Sequence, residues 1–137
     1  MIDEKPSNVP KITRFVREVL GCNCSDEVFQ RVELKRGSTA IKSCSADYEL
    51  QIGGRLLIVF TSEPVDRLNP VRLGEVIAEG KRARDAAHFN RFRLVVQAEN
   101  AAQAKEGLLR TFEAIPTKDE KTHLHVVEKR EMPDFYS

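Results

Sequence analysis

Cys22 and Cys24, two of the three cysteines in the chain, stand one residue apart in the segment Gly21-Cys22-Asn23-Cys24. Backbone N–H groups and the dipole at a helix start stabilise a thiolate. Cys24 directly precedes Ser25-Asp26-Glu27-Val28-Phe29, which reads as one helical turn with polar cap candidates. With Cys22 as resolving thiol, attack by Cys24 on a substrate followed by displacement by Cys22 is the logic of thiol–disulfide exchange. Two features oppose it. Asp26 and Glu27 disfavour a negative sulfur, and no lysine, arginine or histidine adjoins the pair in sequence. A Cys-x-Cys pair that follows a helix also departs from the Cys-x-x-Cys arrangement of thioredoxins, which follows a strand. The plain alternative is structural: Gly21 closes the preceding helix in a left-handed conformation and Cys22 packs back on its last turn.

Metal binding needs more donors than this pair. The candidates are Cys22, Cys24, Cys44, His123 and His125, the two histidines lying on one strand face because side chains alternate. Three thiolates and one imidazole would suit zinc, and iron–sulfur ligation is the other thiolate option, but the paired spacings of zinc fingers and ribbons are absent. Glu33-Leu34-Lys35 matches a Glu-x-Lys element of metal-dependent nucleases; Asp47 and Glu49 are its possible carboxylates, more simply read as a solvated strand face. Arg72, Lys81, Arg82, Arg84, Arg91 and Arg93 outnumber Glu75, Glu79 and Asp85 in one segment, yet the interspersed acids make nucleic-acid binding a poor reading. Glycine-rich nucleotide loops, a nucleophile elbow and a His-Glu-x-x-His element are all missing, so no cofactor is implied.

The elements that would position these groups follow from periodicity. Ile12, Phe15, Val16, Val19 and Leu20 recur at helical spacing, and Gly21 ends that helix. Val32 and Leu34 mark a short strand, followed by a polar loop containing Cys44. Tyr48, Leu50 and Ile52 alternate up to Gly53-Gly54, and Leu56 to Phe60 runs apolar without interruption, predicting a hairpin whose second strand is central. Asn69-Pro70 starts the longest helix, expected to reach about His88 with Leu73, Val76, Ile77, Gly80, Ala83 and Ala87 inward. Phe92, Leu94 and Val96 form a strand. Asn100 to Gln103 resembles a capping box for a helix burying Ala101, Ala104, Leu108 and Phe112, and Leu124 and Val126 make a last strand. The order predicts one α/β domain over residues 1–137, with a mixed sheet of about five strands, two main helices on one face and an N-terminal helix. Residues 1–8 and 132–137 are expected as flexible tails, with Phe135-Tyr136 available to anchor a neighbouring subunit.

Charge balances at 22 basic against 21 acidic residues, so no strong bias toward nucleic acid or membrane arises. Without a leader-like or membrane-spanning apolar run, a cytoplasmic location is expected, and an odd cysteine count there makes reduced thiols the default. Gly21-Cys22-Asn23-Cys24-Ser25-Asp26-Glu27-Val28-Phe29, together with Ile52 to Ile58, resembles small uncharacterised prokaryotic proteins with a Gly-Cys-x-Cys-x-x-Glu-Val-Phe element. That resemblance covers part of the chain, implies a prokaryotic cytosolic protein and transfers no functional residue. Three functions are therefore expected. The first is an accessory protein, not an enzyme, that binds another protein or a second copy of itself and carries redox- or metal-responsive cysteines. The alternatives are a thiol oxidoreductase using Cys24 and Cys22, and a zinc or iron–sulfur binding protein built on the donors named above.

Overall fold

A computed structural model describes residues 8–133 and Phe135. Strand β3, Leu56–Thr61, buries every one of its side chains, which requires cover on both faces. It lies third in a five-stranded sheet of order β1-β2-β3-β4-β5, with β1 at Val32–Arg36, β2 at Ala46–Ile52, β4 at Arg91–Gln97 and β5 at Thr122–Val127. Strand β2 runs antiparallel to both neighbours, whereas β3, β4 and β5 are mutually parallel. Parallel neighbours need long crossovers. Helices α2, Pro70–Ala86, and α3, Ala101–Glu113, supply them.

Those two helices cover one face, burying Leu57, Val59, Phe92, Leu94, Val96 and Leu124. The opposite face, with Leu50, Ile52, Ile58, Phe60, Val95 and Val127, is covered by helix α1, Val9–Arg14, which continues as a π-helical turn over Phe15–Val19. The result is the α/β domain expected from sequence, with a mixed sheet and the N-terminal helix opposite the other two. None of the described helices is long and apolar enough to cross a membrane.

Local chemistry accounts for the boundaries. Gly53 and Gly54 take φ angles of +60° and +66°, the turn a two-glycine hairpin favours. Asn69 and Asn100 cap their helices by accepting from the backbone N–H of Arg72 and Gln103 at 2.9 and 3.3 Å. At Gly80 a Cβ would fall 2.2 Å from the Phe92 ring, so α2 lies against the sheet as its small residues imply.

Three expectations need correction. Helix α2 stops at Ala86 and leaves Ala87 exposed; the inward residue of its last turn is Arg84, which donates through Nη1 and Nη2 to both carboxylate oxygens of Asp119 at 2.8 and 2.7 Å. That guanidinium holds the Asp119 carboxyl well below the usual carboxylate range. Glu49 is not on a solvated face: it is buried and accepts from Ser38 and Gln51, each at 2.7 Å, with Lys35 Nζ at 3.6 Å. The third concerns the tails, because Asn8 is buried as the residue that opens α1, and Phe135 is buried between Tyr48 and Phe60, with ring centroids at 4.8 and 5.4 Å. Phe135 therefore anchors its own chain. Of the expected tails, residues 1–7, Asp134, Tyr136 and Ser137 lie outside the described residues.

Replacing Gly80 with alanine drives a methyl group into the Phe92 ring and is expected to destabilise the fold by about 1–3 kcal/mol, read as a lower urea midpoint at unchanged m-value. Asp119→Asn removes the two-oxygen ionic partner of buried Arg84 and leaves it the more exposed Asp85 alone, an expected cost of about 1.5–3 kcal/mol, the range for hydrogen bonds to charged groups. The same urea titration checks it.

Candidate functional site around the cysteine pair

The cysteine segment is built from three supports. Gly21, at φ +73°, turns the chain out of the π-helical turn, and the Cys22 N–H then donates to the Val16 carbonyl at 3.1 Å. Arg17 reaches forward from the helix, donating through Nε and Nη2 to the Cys24 carbonyl at 3.2 and 2.9 Å and pairing with Asp26 at 2.7 Å, while its guanidinium lies 5.1 Å over the Phe29 ring. A short 3-10 turn, Asp26–Gln30, completes the segment. It is pressed on the hairpin: the Gly53 N–H donates to the Arg31 carbonyl at 2.7 Å, and a Cβ on Gly53 would stand 2.5 Å from the Val28 carbonyl oxygen.

The sulfurs of Cys22 and Cys24 are in contact, with Cα atoms 5.4 Å apart, inside the span a disulfide bridges. The turn at Gly21 and the Arg17 clamp bring the two residues together. A loop this short removes little chain entropy when closed, about 1.6 kcal/mol, roughly half the value for a fifteen-residue loop, so a bond here contributes little to holding the fold. Both cysteines are half-buried against the α1-side core, and Asn23 between them is exposed. The helical turn after Cys24 has only five residues, too few for a strong dipole. Positive charge near the segment has another source.

That source is a cavity of about 600 Å³ lined by Gly21 to Ser25, Arg55, Asn90, Arg91, Arg93 and His123, with no carboxylate in its wall. Arg91 and Arg93 project from β4 toward the α1 side, opposite Phe92 and Leu94, and His123 is the register partner of Arg93 on β5. Arg55 comes from the hairpin turn, whose carbonyl accepts from the N–H groups of Asn90 and Arg91 at 2.8 and 3.0 Å. Arg93 is 7% exposed; its Nη1 donates to the Leu20 carbonyl at 3.2 Å and to His125 Nε2 at 2.9 Å, and its Nε is buried without a partner. Arg91 Nη1 donates to the Glu120 carbonyl at 3.1 Å and to His123 Nε2 at 2.9 Å. Among the described residues Arg55, Arg91 and Arg93 have no carboxylate partner.

A guanidinium can only donate, so both imidazoles present lone pairs at Nε2 and are neutral. Burial, reinforced by the neighbouring arginines, pushes His123 down to about 4 and His125 to about 3. Their lone pairs are thus engaged by cations. Cys44, the remaining metal candidate, is buried on the opposite side of the sheet among the α2 and α3 core, where burial pushes its thiol up to about 11. The three-thiolate, one-imidazole site therefore does not assemble, and among the described residues no group of three His, Cys, Asp or Glu converges to hold a metal. The Glu33-x-Lys35 element lies on β1 opposite Gln51 and Glu49, where the Lys35 ammonium answers the Glu49 charge. The basic segment likewise divides: Arg72 pairs with Glu63 at 3.5 Å, Arg84 with Asp119, and Arg91 and Arg93 line the same cavity as the cysteines.

No family model, curated protein or solved structure matches the chain. The functional reading therefore rests on the geometry of this cavity.

Because the folded histidines resist protonation while unfolded ones titrate near 6.5, the unfolded state binds more protons between these values. Stability from the neutral rings is complete above about pH 6.5 and is lost as pH falls toward 4 and then 3. His125→Gln, which keeps an acceptor for Arg93, is expected to flatten the fall of the urea midpoint between about pH 6.5 and 4.

Proposed function

We propose that the protein is a thiol–disulfide redox protein whose Cys22 and Cys24 cycle between dithiol and disulfide. The observation that carries this reading is that the pair lines a cavity also lined by Arg55, Arg91 and Arg93, which have no carboxylate partner among the described residues. Positive charge near a sulfur favours the thiolate, the nucleophilic form. The opposition expected from Asp26 is reduced, since Arg17 pairs with that carboxylate.

In the oxidising half of the cycle the Cys24 thiolate attacks one sulfur of a substrate disulfide. A Cys24–substrate bond forms and the other substrate half leaves as a thiolate. Cys22, after losing its proton to that leaving thiolate or to water, attacks the Cys24 sulfur, closing the Cys22–Cys24 bond and releasing the second half. A dithiol reductant returns the pair to its reduced form by the same steps in reverse. Cys24 is assigned the attack because the Arg17 guanidinium, bonded to its peptide carbonyl, places a cation beside that residue, whereas the Cys22 backbone is tied to the helix at Val16.

An accessory, partner-binding role carries less support, because Phe135, the aromatic residue expected to anchor a neighbour, is committed to the chain's own core.

Incubated with a small disulfide, the reduced protein is expected to consume one equivalent and end with Cys22–Cys24 oxidised. Cys22→Ser is expected to accumulate a mixed disulfide at Cys24, Cys24→Ser to lose turnover, and Cys44→Ala to retain it. Intact-mass spectrometry of quenched samples distinguishes these species, and a Cys22→Ser protein that forms no adduct would remove the basis of the reading.

A further inference from the structure

The cavity beside the cysteines has the size and charge of a small-molecule site. Its volume, about 600 Å³, lies within the range of ligand pockets. A buried cation is costly unless paired, yet Arg93 reaches the cavity with only its Nη1 bonded, to a carbonyl and a neutral imidazole, and with its Nε unpartnered. Arg91, two residues away on the same strand face, is satisfied by another carbonyl and another neutral imidazole. Exposed Arg55 completes the wall. Three guanidinium groups thus surround a concave space without an anion of the protein's own to balance them.

Planar guanidinium groups match carboxylate and phosphate oxygens in paired hydrogen bonds. Neutral His123 fits the same purpose, since its Nε2 orients Arg91 without adding charge. Cys22 and Cys24 line the same cavity, so a ligand held by the arginines lies beside the site of exchange.

We propose that this cavity binds the anionic group of a small disulfide substrate, a carboxylate or phosphate carried on a low-molecular-weight thiol, and delivers its sulfur to Cys24. The proposal rests on the redox reading above. The exchange balances as written there: the small disulfide accepts two electrons and leaves as two thiols, and the protein dithiol becomes the Cys22–Cys24 disulfide.

The test uses intact reduced protein and three disulfides of similar size: dianionic 3,3′-dithiodipropionate, neutral 2-hydroxyethyl disulfide and dicationic cystamine. In water a thiolate repels an anionic disulfide, so a free thiol reacts most slowly with the first. The protein is expected to reverse that order, oxidising at least tenfold faster with the dianion than with the neutral compound. Rising salt should erode the advantage. Arg55→Gln and Arg91→Gln are expected to bring the rate with the dianion to within twofold of the same variant's rate with 2-hydroxyethyl disulfide, a ratio in which any change in the thiolate itself cancels; Arg55 is exposed in a turn, so its variant keeps the test open should Arg91→Gln fold poorly. Inorganic phosphate and acetate, added as competitors of the dianion, report which oxyanion the arginines prefer, and inhibition by either supports the assignment. Equal rates across the three charges, or a salt-independent order, overturn the anionic substrate and leave the redox reading standing. Absence of exchange with all three overturns both.

Discussion

Strand β3 is apolar on both faces, and the remainder of the fold answers that constraint. A strand buried on both faces must be central and must be covered twice. Antiparallel β2 and parallel β4 supply its edges. The crossover helices cover one face and the N-terminal helix the other. Because the helices that connect parallel strands occupy one side, the other is left to a short helix that cannot reach across the whole sheet. The cysteine segment, the hairpin turn and the first residues of β4 border the uncovered part, and the cavity lies there.

Within that gap the buried arginine on β4 sets the electrostatics. Arg93 ties the end of the first helix to the sheet through the Leu20 carbonyl and forces His125 to present a lone pair. Arg91 does the same to His123. The histidines, which in sequence suggest a metal site or a solvated strand, act as neutral acceptors that keep two like charges side by side. A carboxylate in their place would neutralise the cavity. An imidazole satisfies hydrogen bonds and leaves the positive field intact.

The sheet, the glycine hairpin and the close approach at Gly80 were legible because each depends on residues near one another in sequence: alternation, a turn dipeptide, a stripe of small side chains. Cys22 and Cys24 were legible as a pair for the same reason. Their environment was not. Arg55, Arg91 and Arg93 come to line the cysteines' cavity only through the pairing of β3 with β4 and the packing of the hairpin on the 3-10 turn, neither of which has a local signature. One signal was present: Arg91, Phe92, Arg93 and Leu94 alternate strictly, and on an interior strand arginines facing away from the helices must point into something other than bulk water. Glu49 was misread for the converse reason, since alternation distinguishes the faces of a strand but not whether a face is covered. Arg84 was hidden because its acidic partner lies 35 residues on.

Phe135 closes the core between Tyr48 and Phe60, alongside Phe15 and Val127. The layer that carries the cysteines is therefore assembled from segments far apart in sequence, with α1 and the cysteine segment on one side and β5 and Phe135 on the other. During synthesis Arg93 lacks His125 until β5 emerges, and the histidine-lined wall of the cavity forms only when β5 pairs with β4. The order of the strands thus separates the cysteines in time from the residues that complete their surroundings.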